Sequence, residues 1–299
     1  MTHDLVVVGT PFLDVTFEGL ARVPRPGEEL LARAVHVGPG GTGMQAIAAA
    51  RLGLSTALAA PLGGPGGALL RASLATDGVA VVGDDGDDAA GAGVPVTALL
   101  STPAGVAMAS ALGGGEPAAR DVARAGAACV LASLGRLGLA PEGTRVYAVT
   151  GGLELPHVRD ALARARGLRA LVSNAAEAIA LTGRRDAEEA AHALARAAAT
   201  VVVTLGRDGA LALEEGRVAR APAPHVETVD ATGAGDLFAA AYVWADVRGA
   251  AVRDRLAWAS LYAGLSVRAP TALAGALRLD ELLRAGAERG LQPPPALRG

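Results

Sequence analysis

The chain of 299 residues is long enough to bury a large core, and its aromatic content of only 3% means that alanine, leucine and valine must fill that core. A formal net charge of -3 provides no basic field for a polyanion, which argues against nucleic acid or an anionic membrane as the main partner. All 27 basic residues are arginines, so sites that depend on a lysine, such as a Walker-type phosphate loop or a pyridoxal Schiff base, are excluded.

The cysteine and histidine content favours a protein of a reducing environment. The single cysteine, Cys129, excludes an internal disulfide, and the five histidines do not have the spacing of a zinc site. Residues Met1 to Val8 enter a short strand without the charged start and longer apolar core of a signal peptide. We therefore expect a cytoplasmic protein that binds a small molecule.

Short apolar runs alternate with alanine-rich helical patterns along most of the chain. Strands are predicted at 5–8, 56–60, 146–149, 170–172 and 201–205. Helices are predicted at 44–52, 68–76, 155–166, 186–199, 237–248 and 253–267. This alternation predicts a three-layer α/β/α sandwich with a mostly parallel central sheet, built as a single domain over residues 1–299.

Two stretches, residues 15–37 and about 84–113, do not follow the alternation. They carry short Val/Thr/Leu runs among glycine, proline and acidic residues. The pattern is compatible with a small β-sheet lid over the strand ends, and equally with surface hairpins that have no functional role. The proline-rich residues 292–299 are predicted to form a loose tail.

A glycine-rich stretch, Gly38-Pro39-Gly40-Gly41-Thr42-Gly43, precedes the first predicted helix. Its spacing matches the dinucleotide fingerprint, which also requires an acidic residue about 20 positions later. No acidic residue lies between Gly43 and Leu74, so a dinucleotide site is disfavoured. A glycine pair before a helix equally allows a sugar to approach backbone amides.

Two later motifs each have two interpretations. In Asn174-Ala175-Ala176-Glu177, the amide and the carboxylate one helical turn apart could hold hydrated Mg²⁺, or they could form a capping box at the start of a helix. The segment Val203 to Ala210 is a strand that runs into a glycine-flanked turn. That turn could contact a ligand at the carboxyl end of the sheet, or it could be a plain hairpin turn.

The most informative motif is Gly233-Ala234-Gly235-Asp236, directly before an apolar helical run. Small residues leave successive backbone N–H groups open toward one anion, and the start of the helix adds the positive end of its dipole. Asp236 would then be placed to take a proton from a hydroxyl that attacks a phosphorus atom. The alternative is a turn in which Asp236 is only the N-terminal cap of the helix.

These motifs form a set, which reads in chain order Asp14, Gly40-Gly41, Leu153-Glu154, Asn174-x-x-Glu177, Thr204-x-Gly206-x-x-Gly209 and Asp230-x-Thr232-Gly233-Ala234-Gly235-Asp236. The set resembles the PfkB, or ribokinase-like, family of carbohydrate kinases over essentially the whole chain. The resemblance implies a ribokinase-like α/β domain with a small β-sheet lid. It also implies ATP-dependent transfer of the γ-phosphoryl group to a hydroxyl of a sugar-like molecule, and a homodimer that forms through the lid.

The resemblance assigns a role to each motif. Asp236 is expected to be the general base, and Gly233, Ala234 and Gly235 the anion hole. Asn174 and Glu177 are expected beside Mg²⁺, through water, and the phosphates. The nucleotide site is expected to include Thr204, Gly206, Arg207, Gly209, Ser260 and Ala263.

The acceptor side of the site is expected to include Asp14, Gly40, Gly41, Gln45 and Glu154. Asp230 and Thr232 match positions that surround a monovalent cation such as K⁺ in some members of the family. Where the family usually has an asparagine shortly after the double glycine, this chain has Met44-Gln45. The acceptor is therefore not predicted to be ribose or fructose in particular.

Three alternatives to a carbohydrate kinase remain. One is a sensor of the same fold that binds a sugar or nucleotide without turnover, and another is a nucleoside kinase of the same family. The third is a dehydrogenase, which would respond to a nicotinamide cofactor and not to ATP. A carboxylate beside an anion site favours turnover, because a protein that only binds its ligand has no need of a base.

Overall fold

The computed structural model describes residues 3–83, 93–113, 115–151 and 155–298. Its strands are β1 (Leu5–Val8), β2 (Pro11–Glu18), β3 (Ala34–Gly41), β4 (Thr56–Ala59), β5 (Ala80–Val82), β6 (Val96–Thr102), β7 (Gly105–Ala111), β8 (Cys129–Ser133), β9 (Arg145–Val149), β10 (Leu168–Asn174), β11 (Ala198–Thr204), β12 (Ala210–Glu214) and β13 (Arg217–Ala221). Its helices are α1 (Thr42–Arg51), α2 (Gly64–Thr76), α3 (Ala119–Ala125), α4 (Leu155–Arg164), α5 (Ala175–Thr182), α6 (Ala187–Leu194), α7 (Ala234–Val247), α8 (Val252–Ser266), α9 (Ala272–Gly275) and α10 (Leu279–Ala287).

The large sheet has nine strands in the order β13-β12-β11-β10-β9-β8-β1-β4-β5. The seven strands from β11 to β5 are parallel, and β12 and β13 extend the sheet through antiparallel pairs. The predicted mostly parallel sheet is thus confirmed. Because β11 pairs antiparallel with β12, the turn that follows Thr204 is a hairpin turn, which was one of its two interpretations.

Alternate residues of the central strands enter different cores. In β1, Leu5 and Val7 pack with α1, α7 and α8, whereas Val6 and Val8 pack on the opposite face with residues of β4, β8 and α3. Alternate residues of β11 face a third cluster that includes residues of α4, α5 and α6. Burial on both faces explains why these strands are continuous apolar runs and why the sheet has three layers.

The predicted element bounds need several corrections. The helix predicted at 186–199 ends at Leu194, because residues 198–204 form a strand of the sheet. The helix predicted at 237–248 begins earlier, at Ala234. The prediction also missed β8, α3 and α10, although the apolar residues of α10 have clear helical spacing.

A separate four-stranded sheet has the order β3-β2-β6-β7. The small sheet expected outside the main one is therefore confirmed, although its strands β2 and β3 extend beyond the predicted limits of 15 and 37. Residues 84–92 of the second predicted segment lie outside the described residues. One face of the small sheet is apolar and exposed, and it includes Val35 and Val37.

The carboxyl-terminal residues are docked rather than loose. Trp258 Nε1 donates a hydrogen bond to the carbonyl of Gln292 at 3.2 Å, and the amide of Ala296 donates to the carbonyl of Arg248 at 3.1 Å. Within the part of the chain that the structure describes, no helix is long and apolar enough to cross a membrane.

A buried ion network joins the sheet to α7 and α8 at the end of α7 that lies away from Asp236. The carboxylate of Asp246 accepts hydrogen bonds from Tyr147 and Arg169 and forms an ion pair with Arg255, at distances of 2.5 to 2.9 Å. Arg255 also contacts Glu214 at 2.9 Å. Each charge in this network is compensated by a partner, which buried charges require.

We predict that Asp246→Ala lowers the free energy of unfolding by about 3–5 kcal/mol, because it leaves buried Arg255 and partly buried Arg169 to share the Glu214 carboxylate and removes the acceptor of the Tyr147 hydroxyl. Urea-induced unfolding measures the change. Asp160→Ala, at an exposed position of α4, is the matched control and is expected to change stability by less than about 0.5 kcal/mol. Equal effects of the two substitutions would contradict the importance of the network.

Candidate active site

Three polar side chains gather where neighbouring parallel strands end. Thr150 follows β9, Asn174 ends β10 and Thr204 ends β11, and Asn174 pairs with Thr204 in the register of the sheet. The carboxyl ends of parallel strands share one edge of a sheet, and ligands of open α/β sheets bind at this edge. The structure therefore brings two of the predicted nucleotide-site residues together.

Asn174 and Glu177 have distinct contacts. The side-chain oxygen of Asn174 accepts a hydrogen bond from the amide of Glu177 at 2.8 Å and so caps α5. The Glu177 side chain does not complete a capping box, because its carboxylate accepts a hydrogen bond from the Thr150 hydroxyl, which also contacts Ser173 Oγ at 3.1 Å. The Glu177 carboxylate is thereby held at the edge of the sheet.

Thr150 is a site residue that sequence reasoning missed. Its side chain is buried, and it orients Glu177 from the neighbouring strand end. The signal was present in the sequence, since Thr150-Gly151 directly follows the strand predicted at 146–149.

The turn after β11 depends on a glycine. Gly209 has φ +94°, and a Cβ atom there would lie 2.0 Å from the Ala221 carbonyl oxygen. Gly206 also has positive φ, with open space around it, and Arg207 is exposed. This turn places an accessible backbone segment directly after Thr204.

The other residues predicted for the nucleotide site lie on α8. Ser260 and Ala263 are both buried, and the Ser260 hydroxyl has no hydrogen-bond partner among the described residues. One residue later, a Cβ atom at Gly264 would lie 2.5 Å from Pro224, so α8 packs closely against the segment that follows β13. Glu154, predicted on the acceptor side, lies outside the described residues.

The start of α7 is formed by Gly233, which is its N-cap and has φ +78°. The amides of Gly233 and Gly235 donate no hydrogen bond to any residue that the structure describes, whereas the amide of Asp236 bonds to the Gly233 carbonyl. Two unpaired donors and the helix dipole thus meet at one point, which suits an anion.

Asp236 is not the cap of α7, so the simpler interpretation of this motif is wrong. It is the third residue of the helix, and its carboxylate Oδ1 accepts a hydrogen bond from Gln45 Nε2 at 2.7 Å. Burial, with smaller contributions from the charges of Asp14 and Glu177, raises the pKa of Asp236 to about 7 against the lowering effect of the Gln45 hydrogen bond. A carboxyl group with this pKa can exchange a proton near neutral pH.

Asp14 and Gly40 are in close contact on the small sheet. A Cβ atom at Gly40 would lie 2.1 Å from Asp14 Oδ2, so glycine leaves the space that the carboxylate occupies. Burial raises the pKa of Asp14 to about 6, and a hydrogen bond with Thr97 partly offsets this. Gly41 has φ +54° and joins β3 to α1 without an intervening residue.

A cleft of about 500 Å³ opens beside Asp14, between the small sheet and the helices α1 and α9. Its lining includes Asp14, Met44, Asp230 and Thr232. Asp230 is buried and accepts a hydrogen bond from the Thr232 amide at 2.8 Å. Met44 lies in the lining and also packs against Gly233, so the cleft adjoins the start of α7.

A metal bound only by protein side chains does not fit this arrangement. Among the described residues, no group of three or more histidine, cysteine, aspartate or glutamate side chains could hold a metal ion. Asn174 and Glu177 retain free oxygen lone pairs, which fits a Mg²⁺ ion that they contact through water while phosphate oxygens supply direct ligands.

Comparison with known proteins supports the resemblance seen in the motifs. Residues 153–277 match the family model described as pfkB family carbohydrate kinase. The chain superimposes on a ribokinase-like protein from Agrobacterium tumefaciens with a TM-score of 0.84 and 20% identity, and the match covers 98% of this chain and 100% of that one. The chain has the ribokinase fold. The predicted resemblance to the PfkB family is confirmed.

Two further relatives bear on the ribokinase fold and its ligands. An Arabidopsis thaliana ribokinase complexed with ribose and ATP has a TM-score of 0.75 and 23% identity, and the match covers 95% of this chain and 99% of that one. A 2-dehydro-3-deoxygalactonokinase of Haloferax volcanii is 38% identical over 89 residues. That match spans 29% of this chain and 28% of the relative's length.

The start of α7 in this ribokinase fold gives a paired prediction. Gly233→Ala is expected to lower the free energy of unfolding by at least about 2 kcal/mol, because alanine disfavours positive φ and its methyl group would lie 2.5 Å from Met44 Sδ. Gly235→Ala adds a methyl group with no neighbour within 4 Å. It is expected to raise stability by up to about 1 kcal/mol through helix propensity. Thermal and urea unfolding compare the two variants, and equal destabilisation would contradict this geometry.

Proposed function

We propose that this protein is an ATP-dependent kinase that transfers the γ-phosphoryl group to a hydroxyl of a sugar or a sugar-like small molecule. The observation that carries the proposal is the position of Asp236. Its carboxylate, with a pKa of about 7, lies in the first turn of α7, beside two backbone amides that have no partner among the described residues. The family match and the ribokinase fold support the same reaction class.

Asp236 would act as the general base. It would accept the proton of the acceptor hydroxyl while that oxygen forms a bond to the γ-phosphorus and the bond to the bridging oxygen of ADP breaks. ADP leaves with the bonding electron pair. Because phosphoryl transfer depends mainly on positioning and charge stabilisation, the reaction does not need a lysine.

Gly233, Ala234 and Gly235 would form the anion hole for the migrating group. Backbone N–H groups fixed by the fold stabilise developing negative charge without reorganising during the reaction. The two unpaired amides at Gly233 and Gly235 fit this role. The open space around Gly235 leaves room for phosphate oxygens.

The strand ends would hold the nucleotide. We assign Thr204, Gly206, Arg207 and Gly209, with Ser260 and Ala263 on α8, to ATP, as the resemblance implies. Asn174 and Glu177 would orient Mg²⁺ through water, and the ion would neutralise charge on the phosphates. Thr150 would support this role by fixing the Glu177 carboxylate.

The acceptor would bind between the small sheet and α7. Asp14 can accept hydrogen bonds from sugar hydroxyls, and Gly40, Gly41 and Glu154 would complete the acceptor side. Asp230 and Thr232, beside the cleft, would surround a monovalent cation such as K⁺. The small sheet would then close as a lid over the acceptor.

An ATP-consumption screen in the presence of Mg²⁺ and K⁺ tests the proposed reaction. The acceptors should include ribose, nucleosides, phosphosugars and 2-dehydro-3-deoxygalactonate, since the H. volcanii relative is named for the last of these. ATP consumption that depends on one acceptor class would support the kinase. A thermal shift with a sugar or ATP but no turnover with any acceptor would favour the sensor.

We predict that Asp236→Asn lowers turnover by at least about a hundredfold, because asparagine keeps the shape of the side chain but cannot accept the proton. ATP binding, measured by calorimetry, is expected to change little. Asp160→Asn, on the exposed surface of α4, is the control and should retain wild-type turnover. Wild-type turnover in Asp236→Asn would refute the assigned role.

The pH dependence follows from the pKa of Asp236. The base must be ionised, and burial raises its pKa to about 7, so kcat/KM is expected to rise with pH and to level off above about pH 7. A rise of kcat/KM that is centred near pH 4, where an ordinary aspartate titrates, would contradict this assignment.

The homodimer expected from the resemblance stays a prediction. The exposed apolar face that includes Val35 and Val37 is the surface that such a dimer would use. Sedimentation equilibrium measures the oligomeric state, and a monomer at all concentrations would contradict the prediction.

A further inference from the structure

Gln45 makes a direct contact with the carboxylate of Asp236, although 191 residues separate them in the chain. Its Nε2 atom lies 2.7 Å from Asp236 Oδ1. The contact joins the first turn of α1 to the first turn of α7. Sequence reasoning placed Gln45 among the acceptor contacts, whereas the structure turns its amide toward the base.

The environment of Gln45 leaves its side chain little freedom. Its exposed fraction is 3%, and the residues from Thr42 to Ala49 are all buried. Its Oε1 atom is buried and has no hydrogen-bond partner among the described residues. An unpaired buried oxygen disfavours folding, so an apolar side chain of similar size would satisfy packing at lower energy. Packing therefore does not explain a glutamine at this position.

The side-chain amide of Gln45 can stabilise the negative charge of Asp236. An ionised carboxylate has only acceptor sites, so the NH₂ group of Gln45 must face Asp236 whenever that carboxylate is charged. The charges that act on Asp236 from the neighbouring elements are those of Asp14 on β2 and Glu177 on α5, and both disfavour its ionised form. Among the described residues, Gln45 provides the side-chain hydrogen bond that counters them.

We propose that Gln45 is the positioning residue that holds the Asp236 carboxylate in one orientation and in its ionised state, ready to accept the acceptor proton. This inference rests on the proposed function for the meaning of that proton transfer. The contact itself and its effect on ionisation can be measured without nucleotide or acceptor.

The first test compares Gln45→Leu with the wild-type protein by carboxyl-carbon NMR on chains labelled at aspartate. The signal of Asp236 is identified by its absence in Asp236→Asn. Leucine has a similar volume and cannot donate a hydrogen bond, so the titration midpoint of Asp236 is expected to rise by about one pH unit. An unchanged midpoint would overturn the proposal. This result is independent of whether the protein transfers phosphate.

The second test uses the acceptor found in the screen. Relative to the wild type, kcat/KM of Gln45→Leu is expected to fall at least about tenfold at pH 6, because a one-unit rise in pKa lowers the ionised fraction of the base tenfold there. At pH 9 the base is ionised in both proteins, so only a change in the orientation of its carboxylate can lower kcat/KM. That loss is expected to stay below about threefold. A loss that is equal at both pH values would indicate a merely structural role and would overturn the proposal.

Two further variants complete the design. Gln292→Leu alters the only other glutamine of the chain, at an exposed position, and should match the wild type in both tests. Gln45→Glu places a second carboxylate against the base, and the pair is expected to titrate with one midpoint well above that of wild-type Asp236. A wild-type titration curve in Gln45→Glu would overturn the proposal even if Gln45→Leu fails to fold.

Discussion

Burial of the central sheet on both faces is the constraint on which the rest of this structure depends. Alternate residues of β1 and β11 enter separate apolar cores, so both faces of these strands are mainly apolar. The polar side chains of the candidate site lie instead at the carboxyl ends of the strands. The parallel arrangement then places Thr150, Asn174 and Thr204 on one edge, where α5 and the turn at 205–209 also begin.

The chain has no lysine, and two of its carboxylates on α7 lie in contrasting environments. The carboxylate of Asp246 is compensated by two arginines, whereas Asp236 pairs with no cationic side chain in the part of the chain that the structure describes. The first arrangement stabilises the junction of α7 and α8 with the sheet. The second keeps a proton-accepting group near its midpoint at neutral pH, because burial and neighbouring carboxylates disfavour its charge. Helix α7 contains both carboxylates. Asp246 in its last turn is held by the ion network, and Asp236 in its first turn can take up or release a proton near neutral pH.

Much of the fold was predictable because apolar runs of strand length are a direct consequence of two-sided burial. The strand at 5–8 and the mostly parallel sheet follow from that pattern, whereas the second sheet was suggested only by stretches that break it. Helix limits were less predictable: Ala195 to Ala199 has helix propensity, but residues from 198 onward pair with β10. Tertiary pairing of this kind leaves no local signal.

The candidate site was predictable in its motifs but not in its contacts. The glycine-rich start of α7 and the cap at Asn174 are short-range features that sequence can reveal. The contacts of Gln45 with Asp236 and of Thr150 with Glu177 join distant segments. No spacing rule within a single sequence predicts such pairs.

The junction between the small sheet and α1 has a mechanical consequence. Gly41 ends β3 and Thr42 begins α1, so the small sheet and this helix are joined without an intervening residue. Gln45 follows within one helical turn and touches the aspartate of α7. A displacement of that sheet would therefore act close to the hydrogen bond at Asp236, and a change in the width of the cleft would be coupled to the alignment of the carboxylate.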